Sequence, residues 1–344
     1  MDARLELNAV SRCFIIAEAG VNHNGCLDRA LALIDAAKAA GADAVKFQTF
    51  HSDEIAVADA PKCEYQTRGS DANETQQEML RRLELSEQDH RTLADHCQAI
   101  GIEFMSTAFD IKSVDLLVDL GVQRFKIPSG ELTNLPLIQR VAQEQCEMFI
   151  STGMSSLGEV EQAVEMAEAS GGKITLLHCV SAYPAPLEEV NLRSMKTLGD
   201  AFHLPIGFSD HTAGITVAPA AVALGACVIE KHFTLDRSLP GPDHAASLEV
   251  PELTQMISAI REVEIAMGSP RKQATTSERE TADVARRSLV AARDIGAGER
   301  IDESCIALRR PGTGMPPHMR IHVSGKTARR AIAAGTMLQF SDVA

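Results

Sequence analysis

Short apolar segments alternate with longer amphipathic ones along this 344-residue chain, and this alternation restricts the fold more than any other feature. Eight apolar segments are typical of buried strands, and most are followed by a segment with helical periodicity. A polar insertion follows the second strand. The predicted strands are residues 14–17, 44–48, 103–106, 124–127, 148–151, 174–178, 205–209 and 227–232. The predicted helices are residues 27–40, 87–100, 113–120, 135–143, 157–169, 215–224 and 252–267.

A repeat of eight strand–helix units favours a parallel sheet that closes into a TIM (β/α)8 barrel. Glycine stands before several strands, where a preceding helix would end, as at Gly41, Gly101, Gly121 and Gly225. An open, doubly wound parallel sheet is the alternative, but it rarely needs eight such units. We therefore predict an α/β barrel over residues 1–270.

The last part of the chain has a different pattern. Residues 271–284 are polar and are predicted to form a linker. In residues 285–344 the helical periodicity fades, and segments 294–301 and 331–338 share the pattern Ile-x-Ala-Gly-x-x-aliphatic. The repeat suggests two related hairpin turns in a small β-rich domain, although two short segments can also agree by chance.

Composition and charge exclude several classes of protein. Hydrophobic residues make up 45% and charged residues 23%, as in a globular enzyme, and no apolar run has the length of a membrane helix. The N-terminus does not resemble a signal peptide, and the eight cysteines include no Cys-x-x-Cys pair, so a cytoplasmic location is expected. The net charge of −14 disfavours nucleic acid as a partner.

The charge is unevenly distributed. From residue 285 onward ten Lys and Arg face five Asp and Glu, a net charge of +5, so the rest of the chain carries −19. A basic tail beside an acidic body suggests contact between the two, within one chain or between two chains. Separate, unrelated solvated surfaces explain the charges equally well.

Polar residues cluster where the predicted strands end, which is the catalytic face of a TIM barrel. Two lysines lie within apolar strands, where a surface role is hard to explain, and hydroxyls follow other strands. Lysine ammonium groups and hydroxyl donors suit a phosphorylated acid. These residues are Lys46, Gln48, Thr107, Lys126, Ser129, Ser151, Ser181, Tyr183 and Ser209.

Two histidines and two glutamates complete this set. His211 and His232 follow neighbouring strands, so they could bind one divalent metal and leave positions open, or form a hydrogen-bonded pair without metal. Glu230 could orient a metal ligand from behind. Glu18 ends the first strand, where burial would favour its protonated form and suit it to acid–base work, and it could also pair with a lysine.

Several motifs together resemble the N-acetylneuraminate (sialic acid) synthase family, including legionaminic and pseudaminic acid synthases. The resemblance covers nearly the whole chain, in order. The motifs are Ile-Ala-Glu-Ala-Gly-Val-Asn-His-Asn-Gly at 16–25, Ala-Val-Lys-Phe-Gln-Thr-Phe at 44–50, Lys-Ile-Pro-Ser-Gly-Glu at 126–131, Ser-Thr-Gly-Met at 151–154, Gly-Phe-Ser-Asp-His at 207–211, Glu-Lys-His-Phe-Thr at 230–234, Gly-Pro-Asp-His at 241–244 and Arg-Arg-Pro-Gly-Thr-Gly at 309–314.

The resemblance implies a TIM barrel followed by an antifreeze-like (SAF) domain at 285–344, swapped across a homodimer. It implies that His211 and His232 bind Mn²⁺ or Mg²⁺, and that Glu18 serves proton transfer and water handling. Gln48, Tyr183, Asp243 and Arg310 would contact the sugar. The implied phosphoenolpyruvate contacts are Lys46, Thr107, Lys126, Ser129, Ser151, Ser181 and Ser209.

The same resemblance implies a reaction. Phosphoenolpyruvate would attack the metal-polarised aldehyde of an open-chain amino sugar, the resulting cation would take up water, and phosphate would leave by C–O cleavage. The expected sugar is N-acetylmannosamine, with 2,4-diacetamido-2,4,6-trideoxymannose, the legionaminic acid precursor, as the alternative. Ser181 replaces the Asn of some members, and residues 71–73 do not align cleanly with a sugar-contacting Asn.

Two other functions compete with this one. A Schiff-base aldolase would use Lys46 or Lys126 as its nucleophile, and borohydride would then trap a keto acid on the protein. A carbohydrate- or ice-binding protein would use the small domain, and that function leaves the polar mouth of the barrel unexplained.

Overall fold

The computed structural model describes residues 12–67 and 74–344, so the departure at residues 71–73 lies outside the described residues. These residues form two compact units, one ending at Gly268 and one spanning Ser269–Ala344. The strands are β1 Phe14–Gly20, β2 Ala44–Thr49, β3 Glu103–Ala108, β4 Arg124–Ile127, β5 Glu147–Ser151, β6 Lys173–Cys179, β7 Ile206–Asp210, β8 Val228–Thr234, β9 Leu248–Glu249, β10 Ser288–Ala291 and β11 Ile306–Arg309.

Helices connect most of the strands. They are α1 Leu27–Ala40, α2 Ser52–Ile55, α3 Glu64–Thr67, α4 Gln76–Leu83, α5 Glu87–Ile100, α6 Ile111–Asp119, α7 Leu135–Ala142, α8 Leu157–Ala169, α9 Ser194–Phe202, α10 Val217–Ala223, α11 Val250–Met267, α12 Thr276–Ala285 and α13 Arg320–Val323. Within residues 12–67 and 74–344, every helix is too short or too polar to cross a lipid bilayer.

The first unit is the predicted barrel. Strands β1 to β8 pair in parallel in chain order, and β1 also pairs with β8, which closes the sheet. The predicted glycine ends are confirmed at α1 and α5, whose C-caps Gly41 and Gly101 adopt left-handed conformations with φ of 89° and 72°. Glycine takes this conformation without the steric cost that a side chain would add.

Two connections differ from the sequence-based expectation. Helix α9, between β6 and β7, was not predicted, because its one-sided apolar pattern is short and it contains Gly199, a residue that is unfavourable inside helices. The polar insertion after β2 contains α2, α3 and α4. Helix α4 carries charged residues on one face and buries Met79 and Leu83 on the other. Because the segment as a whole is polar, its apolar face was not recognised from the sequence.

Alternation along the strands stacks the barrel interior in layers. One layer is a buried apolar cluster, with partly buried Phe14 and Cys227 against it, formed by Ile16, Ala44, Met105, Phe149, Leu177 and Val228. Side chains two residues further along five of these strands point to the same side, one layer closer to the carboxyl ends. Those five residues are Glu18, Lys46, Thr107, Ser151 and Glu230.

The second unit has its own apolar core and an antiparallel β10–β11 pair. Its repeated pattern corresponds to a repeated structure, since Gly298 and Gly335 hold the same place in the pattern with φ of 82° and 84°. The two segments pair through Ile295 and Ile332, which exchange backbone hydrogen bonds of 2.9 Å. The predicted linker, residues 271–284, contains most of α12, and the predicted domain limits stay a prediction.

Candidate active site

A cavity of about 310 Å³ opens at the carboxyl ends of the barrel strands. Fourteen of the fifteen predicted site residues line it. They are Glu18, Lys46, Gln48, Thr107, Lys126, Ser129, Ser151, Ser181, Tyr183, Ser209, His211, Glu230, His232 and Asp243. Residues that are more than 200 positions apart in the sequence, such as Glu18 and Glu230, therefore lie together at the strand ends.

Four buried charged residues form the floor of the cavity. Lys126 Nζ lies 2.5 Å from Glu230 Oε1, and Lys46 Nζ lies 2.7 Å from Glu18 Oε2. Glu230 Oε2 is also 3.6 Å from Lys46 Nζ, so this carboxylate lies between the two ammonium groups. All four side chains are at most 4% exposed, so their charges act on one another with little screening by water.

These contacts shift the pKa values of the two glutamates in opposite directions. Burial raises the pKa of Glu18 to about 7, with Lys46 opposing the rise and Glu230 adding to it. Burial also raises the pKa of Glu230, but Lys126 and Lys46 more than offset this and hold it well below its usual range. Glu230 is therefore a permanent carboxylate, whereas Glu18 can exchange a proton near neutral pH.

The lysines respond in opposite directions. Burial lowers the pKa of Lys46, but the two glutamates outweigh burial and leave it raised. Burial lowers the pKa of Lys126, and the contact with Glu230 restores only part of it. A bound anion would favour the charged forms of both lysines, so the floor suits an anionic ligand.

Hydroxyl groups surround this floor. Thr107 Oγ1 accepts a hydrogen bond of 2.8 Å from Lys46, and Ser209 Oγ donates one of 2.9 Å to Glu230. Within the described part of the chain, the buried Ser151 hydroxyl has no hydrogen-bond partner. A buried donor aimed into a cavity is costly to leave unpaired, which points to a polar ligand there.

The turn after β5 adds backbone to the same region. Gly153 N donates a hydrogen bond of 3.0 Å to Ser129 Oγ. A Cβ at Gly153 would lie 2.7 Å from that oxygen and 2.3 Å from Ser181 Oγ. Glycine is therefore needed for the main chain to approach the two hydroxyls this closely.

The two imidazoles lie together beside the floor. The ring centroids of His211 and His232 are 5.6 Å apart, and Tyr183 packs on His211 at 4.2 Å. His211 Nδ1 lies 2.8 Å from the carbonyl oxygen of Val180. A carbonyl only accepts, so Nδ1 carries the proton and Nε2 keeps a lone pair for a ligand.

This donor set fits a divalent cation that keeps open positions. Among residues 12–67 and 74–344 no group of three or more His, Cys, Asp or Glu could hold a metal ion. His211 and His232 would hold such a cation, with water and substrate as its remaining ligands. The predicted Mn²⁺ or Mg²⁺ stays a prediction.

Three of the predicted sugar contacts, Asp243, Gln48 and Tyr183, line the cavity, and the fourth, Arg310, belongs to the second unit. Burial raises the pKa of Asp243 to about 6, although His211 opposes the rise, and its Oδ2 lies 4.0 Å from His232 Nδ1. Gln48 Nε2 donates to Glu18 over 3.5 Å. Arg310 belongs to the second unit, where it is exposed and its Nε donates to the carbonyl of Ala285, so its role toward the sugar stays a prediction.

The side-chain contacts of Glu230 are with two lysines and a serine. We expected it behind a metal ligand, but its carboxylate contacts Lys126, Lys46 and Ser209. The strand period explains this, because Glu230 lies one layer deeper in the barrel than His232. Orientation of a metal ligand by Glu230 stays a prediction.

Sequence reasoning missed two features of the cavity. Cys179 lines it, with Sγ 3.6 Å from His211 Nδ1; burial would raise the pKa of this thiol, but His211 lowers it to about 7. Cys179 is the last residue of β6, so the strand-end argument that singled out Ser181 and Tyr183 also covers it. The second feature is an apolar side of the cavity, formed largely by residues of the insertion after β2. The charged residues of this insertion made it look uniformly polar in the sequence.

Known proteins resemble this chain over most of its length. The NeuB family profile matches residues 33–272, and the SAF domain profile matches residues 286–344. The N,N′-diacetyllegionaminic acid synthase of Legionella pneumophila is 47% identical over 96% of this chain and 94% of its own. The human N-acetylneuraminate-9-phosphate synthase is 37% identical over 91% of this chain and 88% of its own.

A solved structure agrees with this assignment. The N-acetylneuraminic acid synthetase of Leptospira borgpetersenii, crystallised with citrate, superposes with a TM-score of 0.71 at 34% identity over 79% of this chain and 91% of that one. The fold, the residues that line the cavity and the sequence matches all agree. This chain therefore belongs to the NeuB family and carries a C-terminal SAF domain.

Proposed function

We propose that this chain is a nonulosonate synthase that condenses phosphoenolpyruvate with an open-chain N-acyl amino sugar and water, and releases phosphate. The observation that carries the proposal is the pair of buried lysines facing two imidazoles within one cavity. The lysine pair suits an anionic enol phosphate, and the imidazole pair suits a divalent cation that would polarise an aldehyde.

The donor site follows from the floor and its hydroxyls. Lys46 and Lys126 would hold the carboxylate and phosphate of phosphoenolpyruvate, and the Ser151 hydroxyl would gain the partner it lacks. Both lysines already contact carboxylates, so the site is positioned before ligand arrives. Preorganised positive charge of this kind stabilises the charge that develops on a leaving phosphate.

The acceptor site follows from the imidazoles. A divalent cation held by His211 and His232 would polarise the aldehyde of the sugar. Asp243 and Tyr183 lie beside these rings and would orient the adjacent hydroxyls. The aldehyde carbon would then face the enol carbon of the donor, which is the geometry that a new C–C bond requires.

Glu18 would manage the proton of the attacking water. Its pKa of about 7 allows it to accept a proton from water and to release it within one turnover. Lys46, at 2.7 Å, holds the carboxylate in place. Atoms balance in this scheme, because the acid product contains the sugar, the three carbons of the donor and the oxygen of water.

The sugar is assigned from similarity. The 47% identity with a legionaminic acid synthase exceeds the 37% identity with an N-acetylneuraminate-9-phosphate synthase. We therefore propose 2,4-diacetamido-2,4,6-trideoxymannose as the preferred sugar, in place of the N-acetylmannosamine first expected from the sequence. The domain-swapped homodimer stays a prediction, which light scattering coupled to size-exclusion chromatography tests.

Phosphate release and product mass test the function directly. The purified chain is mixed with phosphoenolpyruvate, Mn²⁺ and each candidate sugar in turn. We expect phosphate release that depends on the sugar, and an acid product of matching mass. A chain that leaves phosphoenolpyruvate intact with every sugar contradicts the proposal. Trapping of a keto acid by borohydride would instead support a Schiff-base aldolase, and we expect none.

A further inference from the structure

A buried ion pair joins the two strands that lead to the imidazoles. Lys231 Nζ lies 3.0 Å from Asp210 Oδ2, and both side chains are at most 1% exposed. Each residue immediately precedes one of the two histidines, since His211 follows Asp210 and His232 follows Lys231. The proposed reaction gives this pair no contact with a substrate, so its place beside both histidines calls for an explanation.

Alternation along the strands places the pair on the outer side of the sheet. Ser209 and Glu230 line the cavity, whereas Asp210 and Lys231, one residue further along each strand, do not. Successive side chains of a strand point to opposite faces, so the ion pair lies on the face turned away from the cavity. It can therefore influence a ligand only through the residues that it holds in place.

The ion pair lies where the backbone pairing of β7 with β8 ends. The last register pair between these strands is Asp210 with Lys231. One residue further, the ladder of the described residues no longer pairs His211 with His232. Within the same part of the chain, His232 Nδ1 has no hydrogen-bond partner, so its backbone is the main determinant of where this ring lies. The two imidazoles therefore depend on whatever fixes the chain at the end of the ladder.

Asp210 closes a turn around His211. Its Oδ1 accepts hydrogen bonds of 2.8 Å from Thr212 N and 2.7 Å from Thr212 Oγ1. The main chain of His211 thus lies between two residues that bond each other, and its own carbonyl accepts a hydrogen bond of 2.9 Å from Ala185 N. These bonds fix the direction in which the His211 side chain leaves the backbone.

Lys231 links this turn to the neighbouring strand. Its Nζ donates a hydrogen bond of 2.5 Å to the carbonyl oxygen of Thr212, in addition to its contact with Asp210. One ammonium group therefore holds both ends of the turn that carries His211, from the position in β8 next to His232. Partners that orient metal ligands from behind in this way commonly change metal affinity about 10- to 100-fold when they are removed.

A buried ion pair adds little stability of its own, because apolar side chains of the same volume often stabilise a protein as well or better. Its charges and hydrogen bonds do impose a defined geometry. We propose that Asp210 and Lys231 are positioning residues that set the placement of His211 relative to His232, and thereby the affinity of the site for a divalent cation. This inference rests on the proposed function, in which the two imidazoles hold the cation.

Calorimetric titration of the metal-free protein with Mn²⁺ tests this inference without turnover. Lys231→Met removes both contacts of the ammonium group, so the Kd for Mn²⁺ should rise about 10- to 100-fold. Asp210→Asn keeps an oxygen that can accept hydrogen bonds from Thr212 and Lys231, so its Kd should rise less than that of Lys231→Met. A variant that is only less stable keeps the wild-type Kd while it stays folded, which circular dichroism verifies.

The double variant Asp210→Asn/Lys231→Met separates geometry from stability. It has no unpaired buried carboxylate, so it should be more stable than Lys231→Met. It still lacks the ammonium link between the strands, so its Kd for Mn²⁺ should stay as weak as that of Lys231→Met. If Lys231→Met does not fold, the double variant carries the test.

An ion pair at the other end of the barrel provides the matched control. Arg124 pairs with Glu103 and Glu147 at the first residues of β4, β3 and β5, so Arg124→Met should lower stability and leave the Kd for Mn²⁺ unchanged. A folded Lys231→Met or double variant with the wild-type Kd overturns the inference and leaves the proposed function intact, and an equal loss of affinity in Arg124→Met overturns it too. Wild-type protein that binds no Mn²⁺ would refute the metal role in the proposed function, and this inference with it.

Discussion

Removing the negative charge of Glu230 should destabilise the free protein and strengthen its response to phosphoenolpyruvate. The carboxylate lies 2.5 Å from Lys126 and 3.6 Å from Lys46. At an effective dielectric constant of about 20, these attractions amount to about 7 and 5 kcal/mol. Burial of the carboxylate costs several kcal/mol in the opposite direction, so Glu230→Gln should lower the free energy of unfolding by about 3–5 kcal/mol.

The change leaves two buried ammonium groups with less compensation, and an anionic ligand can supply it. In thermal unfolding we expect the Glu230→Gln variant to melt on the order of 10 °C below wild type. Saturating phosphoenolpyruvate should then raise the melting temperature of the variant more than that of wild type, because the ligand's charge replaces the lost carboxylate.

An exposed ion pair provides the matched control. Glu54 pairs with Lys112 on the surface, so Glu54→Gln should change the melting temperature little and leave the response to phosphoenolpyruvate unchanged. A Glu230→Gln variant as stable as wild type, or one that phosphoenolpyruvate stabilises less than wild type, would refute the assignment of this floor as the anion site.

Three further predictions follow from buried groups. Burial raises the pKa of Glu18 from 4.5 to about 7, so its contribution to stability is full below pH 4.5 and is lost as pH rises through 7. Relative to Glu18→Gln, wild type should lose about 2–3 kcal/mol of unfolding free energy between pH 5 and 8, and parallel stability curves would contradict this. Lys231→Met should cost about 3–5 kcal/mol, because buried Asp210 keeps its hydrogen bonds from Thr212 but loses the ammonium group 3.0 Å from its Oδ2. Adding Asp210→Asn should restore part of that loss, and a further loss would contradict this reasoning. His211→Ala should abolish turnover and weaken Mn²⁺ binding in calorimetry while the circular dichroism spectrum is unchanged; full activity in metal-free buffer would refute the metal role.

The barrel fold could be predicted from the sequence because the patterns that specify its helices and strands are local. Glycines such as Gly41 and Gly101 end helices for steric reasons that act over a few residues. The apolar runs likewise placed the strands, and the strand ends placed the site. Arguments of this kind need only neighbouring residues and the geometry of a closed parallel sheet.

The sequence alone could not predict which distant residues contact each other. Lys126 and Glu230 are 104 positions apart, and their contact depends on the layer that each strand's register gives its side chains. The apolar side of the cavity was missed for a different reason. Its residues Met79, Leu80 and Leu83 alternate with charged ones, and only the folded helix separates the two faces.

The proposed reaction depends most on one chemical step, in which the donor loses phosphate by C–O cleavage while its enol carbon bonds to the sugar. Phosphoenolpyruvate labelled with ¹⁸O in the bridging oxygen tests this in a single experiment with 2,4-diacetamido-2,4,6-trideoxymannose and Mn²⁺. Mass spectrometry of both products should find the label in phosphate and an unlabelled acid three carbons longer than the sugar. Label retained in the organic product, or phosphate released without the longer acid, would contradict the account.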